Sequence, residues 1–207
     1  MRRIIAIILS FTFLFALSAC EQAQQDDSVP KNESGELQSV QTMDVEKTLI
    51  LYFSYSGNTE KVAKQIADYT GADIIRLEPV DPYPEDYDAC VARAEAEPPA
   101  NARPELKTEL NNLSDYDTVI LGWPCWNYSC PMLILTMLEQ HDFSDKTILP
   151  FTTHGGSGFA QSIKEMKVSS PDTTYLDGLA IYEKNVDTSE QEITEWLANN
   201  GYAKNEQ

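Results

Sequence analysis

From residue 47 onward, short apolar runs alternate with longer amphipathic stretches. KTLILYFS (residues 47–54) is nearly continuous in β-forming apolar residues and reads as a buried strand. In residues 58–70, Val62, Ile66 and Tyr69 share one helical face, and Gly71 supplies a stop. Four more strands are expected, at residues 72–77, 116–122, 146–153 and 175–182. Helices are expected at residues 131–141, 159–166 and 189–200, the last opened by a Ser189–Glu192 capping box and closed by Gly201. Strands alternating with helices imply an α/β fold with a parallel sheet covered on both faces. Residues 79–104 break the rhythm. They hold six of the eleven prolines and the stretch DYDACVARAEAE, which reads as a displaced helix. Tyr83, Tyr87 and Arg103 in this interval either shape a lid or partner surface, or simply pack.

The N-terminus follows another pattern. Met1-Arg2-Arg3 precedes a charge-free apolar run that ends in Leu17-Ser18-Ala19-Cys20, the order of a secretory signal peptide. The run is short for a spanning helix, although an uncleaved anchor remains an alternative. Leu-Ser-Ala-Cys resembles the lipobox of bacterial lipoproteins, which implies cleavage before Cys20 and lipidation of its thiol. Residues 20–46 are polar and acidic without helical or strand period, as expected of a disordered tether. The expected organisation is signal peptide 1–19, lipidated Cys20 and tether 20–46, folded domain 47–202 and tail 203–207, placed outside the cytoplasm on a cell membrane.

Charge narrows the function. The chain of 207 residues carries 15 Lys and Arg against 33 Asp and Glu, a net charge of -18. So acidic a chain lacks the basic face that nucleic-acid binding needs. It would steer basic partners and repel acidic ones.

Three segments after strands carry candidate chemistry. Ser54-Tyr55-Ser56-Gly57-Asn58-Thr59 places hydroxyls and a glycine on a turn that opens a helix, a setting that favours a bound anion. It has neither Walker A nor GxGxxG spacing. Trp123-Pro124-Cys125-Trp126-Asn127-Tyr128 clusters aromatics beyond a strand's carboxyl end, where a flat ring would be received. Thr153-His154-Gly155-Gly156 permits close backbone approach.

Ser-x-Ser-Gly-x-Thr after the first strand, followed by the other two loops in this order, resembles the flavodoxin family over residues 47–202. The resemblance implies a doubly wound five-stranded parallel sheet of order 2-1-3-4-5 and one non-covalent FMN. It implies phosphate contacts from Ser54, Ser56, Gly57, Asn58 and Thr59. Trp123, Trp126 and Tyr128 would stack on or edge the ring, with Pro124, Cys125 and Asn127 in the same loop. Thr153, His154, Gly155 and Gly156 would meet the ring's polar rim, and His154 would bond the ring or merely fold its own turn. Electron transfer with redox partner proteins is the activity implied. An FMN-dependent NAD(P)H:quinone reductase and a non-redox binding module are the rivals. Cys125 and Cys130 either bridge or remain thiols, with Cys90 free. No spacing matches a metal site.

Overall fold

The computed structural model describes residues 42–205. The signal peptide, Cys20 and most of the tether lie outside the described residues.

Six strands form one parallel sheet: β1 (Thr48–Tyr52), β2 (Asp73–Arg76), β3 (Thr118–Pro124), β4 (Thr147–His154), β5 (Thr174–Tyr175) and β6 (Leu179–Tyr182). Their order is β2-β1-β3-β4-β5, with β6 also on β4, so the expected 2-1-3-4-5 sheet is present with its fifth strand in two pieces. β5 pairs with Thr147 and Ile148, β6 with Phe151 to His154, and pairing lapses between them. Pro150 lies in that gap and offers no N–H to a ladder. Beside the gap, a Cβ on Gly178 would fall 2.6 Å from the Pro150 carbonyl, so only glycine fits.

The helices are α1 (Asn58–Thr70), α2 (Tyr87–Ala96), α3 (Met132–Gln140), α4 (Ser162–Ser169) and α5 (Glu190–Asn199). Strand alternation divides the core. Leu49, Leu51, Val119 and Leu121 face Leu133, Ile134 and Met137 of α3 and Met166 of α4. Ile50, Ile120, Leu149 and Phe151 face Val62 and Ile66 of α1 and Ile193 and Leu197 of α5. α1 ends where expected, on Gly71 at φ +76°.

α2 stands in the proline-rich interval and buries only Cys90 and Ala94. The Ser189–Glu192 capping box does not form. Ser189 leaves a 3-10 turn at φ -89°, ψ 5°, and its hydroxyl donates to the Val186 carbonyl at 2.9 Å. Contacts extend past both ends expected for the folded domain: Met43 N–H donates to Gly201 C=O at 3.0 Å, and Asn205 N–H to Tyr69 C=O at 2.7 Å.

Candidate functional site

Parallel strands place their carboxyl ends together, and the three loops singled out by sequence converge there. The β1–α1 loop turns at Gly57, whose φ of +91° suits glycine, and no side chain caps the N-terminus of α1. Ser54 is 2% exposed, and its Oγ has no hydrogen-bond partner. Such a hydroxyl costs free energy unless a ligand completes it. Ser56 is exposed, Asn58 is half-buried, and Thr59 is buried with its Oγ1 2.8 Å from Thr153 Oγ1. This loop therefore presents free helix N–H groups and an unanswered hydroxyl, which fit a phosphate.

The β3–α3 loop is tied to the end of β4, where Cys125 N–H donates to Thr153 C=O at 2.8 Å. Pro124 is opposite Thr153 in the register. Trp126 and Ser129 exchange backbone hydrogen bonds of 2.9 and 2.8 Å around Asn127 and Tyr128, both at positive φ (49° and 61°). This is a two-residue hairpin turn of the primed kind, which asparagine tolerates and tyrosine does not favour. Asn127 Nδ2 donates to Ala94 C=O of α2 at 3.0 Å, and Tyr128 is 73% exposed. The Trp126 ring meets Phe53, Tyr55 and Tyr83 edge-on at centroid distances of 5.5, 5.9 and 5.0 Å.

Trp123 does not face the site. It is wholly buried, donates from Nε1 to Ser162 Oγ at 3.2 Å and packs on Phe159. β3 runs past Gly122, so Trp123 shares the sheet face of Val119 and Leu121 and joins the core beneath α3 and α4.

In the β4–α4 loop, His154 Nδ1 accepts the Gly156 N–H at 2.9 Å, so a neutral ring carries its hydrogen on Nε2. Gly155 and Gly156 are exposed. Ser157 Oγ donates to Cys125 Sγ at 3.1 Å, joining this loop to the aromatic one.

Cys90, Cys125 and Cys130 are all free thiols, so the Cys125–Cys130 bridge is not formed. Cys130 is 3% exposed, and burial pushes its thiol up to about 12, far from the reactive thiolate. Burial also raises Cys90 and Cys125.

A cleft of about 340 Å³ opens between α2 and the aromatic loop, lined by Tyr55, Tyr87, Cys90, Cys125, Trp126 and Asn127 among others. The proline-rich interval thus supplies one wall. Its Tyr83 is packed, donating to the buried Glu97 at 2.8 Å beneath the Arg93 guanidinium. Arg103 is paired with Glu139, and Tyr87 stands 71% exposed.

Sequence reading places Tyr55 in the first loop without a role and misses Phe53 and Arg76. Tyr55 donates to the carbonyls of Pro84 and Glu85, and Arg76 Nη2 donates to the Ser54 carbonyl at 2.7 Å. The apolar run 47–54 carried a signal for Phe53. Nothing in the sequence places Arg76 beside Ser54, because that requires the register of β1 and β2.

A family model described as flavodoxin matches residues 47–200. A crystal structure of a protein assigned as a flavoprotein from Bacteroides eggerthii is 31% identical, covering 73% of this chain and 96% of that one, with a TM-score of 0.65. A similarly assigned protein from Bacteroides uniformis is 29% identical over 75% and 99% of the two chains, with a TM-score of 0.66. A flavoprotein from Lactobacillus acidophilus, crystallised in complex with FMN, is 23% identical over 69% and 97%, with a TM-score of 0.58. At that identity the likeness is one of fold. No curated protein matches the chain.

Proposed function

The chain belongs to the flavodoxin family, and from that premise we propose that it binds one FMN non-covalently and carries electrons between redox partner proteins outside the cytoplasm, held to a membrane through Cys20. The observation that carries the cofactor is the buried, unpartnered Ser54 Oγ beside the uncapped N-terminus of α1. Ser54, Ser56, Asn58 and Thr59, with the backbone at Gly57, would hold the phosphate. Trp126, Tyr128 and the backbone of residues 153–156 would receive the ring. The FMN-bound Lactobacillus acidophilus flavoprotein of the same fold supports this cofactor.

Bound FMN supplies the redox chemistry, and the chain supplies affinity, orientation and field. The Thr59–Thr153 bond fixes the phosphate side against the ring side. Trp126, braced by three aromatic neighbours, presents a surface that needs little ordering on binding. A carrier role is favoured over pyridine-nucleotide oxidation by the crowding of Phe53, Tyr55 and Tyr83 about Trp126, which narrows the room that a second substrate over the ring needs. Export and anchoring rest on the signal-like first nineteen residues and on Leu-Ser-Ala-Cys.

The test is a visible spectrum of the purified protein with added FMN, followed by stepwise reduction. Bound flavin reduced in two separable one-electron steps supports the carrier. Bound flavin reduced only in a two-electron step, with NAD(P)H consumed, replaces the carrier by a reductase. A folded protein that takes up no FMN overturns both.

A further inference from the structure

Arg76 is the last residue of β2 and lies opposite Tyr52 in the β1–β2 register. Its guanidinium forks. Nη2 donates to the Ser54 carbonyl at 2.7 Å, and Nη1 donates to Glu60 Oε2 at 2.6 Å. One planar group therefore ties the residue that leaves β1 to the first turn of α1, the two ends of the loop. We propose that Arg76 is a positioning residue for the FMN phosphate, acting through Ser54 and Glu60 without touching the phosphate itself. The proposal rests on the FMN reading above.

Two independent observations carry it. The first is geometric. Ser54 is buried with an unanswered Oγ, and the backbone hydrogen bond from Arg76 fixes the residue whose side chain must present that hydroxyl. The second is electrostatic. Glu60 stands in the first turn of the helix whose N-terminus would take the anion. Such a carboxylate suits the helix but repels a phosphate beside it. Lys64 Nζ, at 2.6 Å from Oε1, and Arg76 together neutralise it. The two cations differ in reach. Lys64 touches Glu60, whereas Arg76 holds Glu60 and the loop backbone at once, a task suited to a planar fork and not to an ammonium.

The test compares FMN with riboflavin, which lacks the phosphate. Dissociation constants are measured by quenching of flavin fluorescence in the wild type, Arg76→Met, Arg76→Lys and Lys64→Met, alongside melting of each apoprotein. Arg76→Met is expected to weaken FMN about tenfold or more while changing riboflavin by less than about twofold. Arg76→Lys should recover little of the loss. Lys64→Met removes one of the two charges that neutralise Glu60 but leaves the loop backbone held, and is expected to weaken FMN by clearly less than Arg76→Met, about threefold at most. An unchanged FMN to riboflavin ratio in Arg76→Met overturns the proposal. An equal loss in Lys64→Met also overturns it, reducing the effect to a general field. A wild type that binds riboflavin but shows no preference for FMN removes the phosphate-loop reading itself, and is distinct from both.

Discussion

Thr59 and Thr153 share a 2.8 Å hydroxyl–hydroxyl bond across 94 positions of sequence, and both side chains are buried. The bond joins the first turn of α1 to the carboxyl end of β4, so the phosphate loop and the ring-side loop are set against each other directly. Replacing Thr153 by Val strands the Thr59 hydroxyl in the interior and is expected to destabilise the apoprotein by about 1–3 kcal/mol. Replacing both by Val removes the orphan and should recover most of that loss. Denaturant unfolding of the two single variants and the double variant checks this. Additive losses would show that the two hydroxyls do not act as a pair.

Ser54 is expected to behave in the opposite sense. Its Oγ has no partner in the ligand-free fold, so Ser54→Ala removes an unanswered polar atom and should leave apoprotein stability unchanged or raised. FMN affinity should fall about tenfold, the worth of one hydrogen bond to a charged group. Thermal melting and FMN titration on one preparation separate the two effects. A destabilised apoprotein would mean that the hydroxyl has a structural partner.

Much of this arrangement was legible because local chemistry and global topology agree. Gly71 stops α1, and hydroxyls and glycines mark the loop before it. Apolar runs mark the strands, their alternation with helices implies a parallel sheet, and the observed strand order is the one that the flavodoxin resemblance implies. The misreadings have identifiable physical sources. Trp123 reads as a loop residue only if the third strand ends at Gly122; the strand runs two residues further, and Trp123 then shares the sheet face of Val119 and Leu121 under α3 and α4. The break in the fifth strand is dictated by Pro150 on a different strand. Arg76 was invisible because its role is a register, and the capping box failed because a 3-10 turn delivers Ser189 in the wrong conformation.

Glu60 gives a pH dependence. Its carboxyl is held below the usual carboxylate range, chiefly by the Lys64 hydrogen bond, with the Lys64 and Arg76 charges outweighing the opposing effect of burial. A carboxylate lowered in the folded state stabilises the fold above its unfolded pKa of about 4.5. That contribution is lost as pH falls through the folded value. Glu60→Gln should therefore lower the neutral plateau slightly, since the pairs are partly exposed, and meet the wild type at acid pH, so that its acid limb is shallower. Urea unfolding across the acid range reads this. An acid limb identical to the wild type's would show that Glu60 does not titrate with folding.

Cys20 carries the anchoring part of the proposal. After cleavage before Cys20 the chain would lose Arg2 and Arg3 and become still more acidic, so electrostatic attraction to an anionic surface cannot hold it. Attachment then depends on the acyl chains alone. Cys20→Ala is expected to abolish incorporation of a labelled fatty acid into the protein without changing its flavin spectrum. A wild type that takes up no labelled fatty acid would point to an uncleaved N-terminal anchor.

Tyr128 holds a conformation that its side chain does not favour. At φ +61° and 73% exposed, it gains little from packing. A bulky residue in the left-handed region costs about 1–2 kcal/mol relative to glycine. Tyr128→Gly keeps the two-residue hairpin and is expected to raise apoprotein stability by about 1 kcal/mol, less the greater chain entropy that glycine gives the unfolded state. If the strained residue is held there to meet the flavin ring, the same substitution should weaken FMN and riboflavin alike, because the ring is common to both. That pattern differs from Arg76→Met, which spares riboflavin. A Tyr128→Gly protein that is more stable and binds both flavins as the wild type does would show that the strain serves the turn alone.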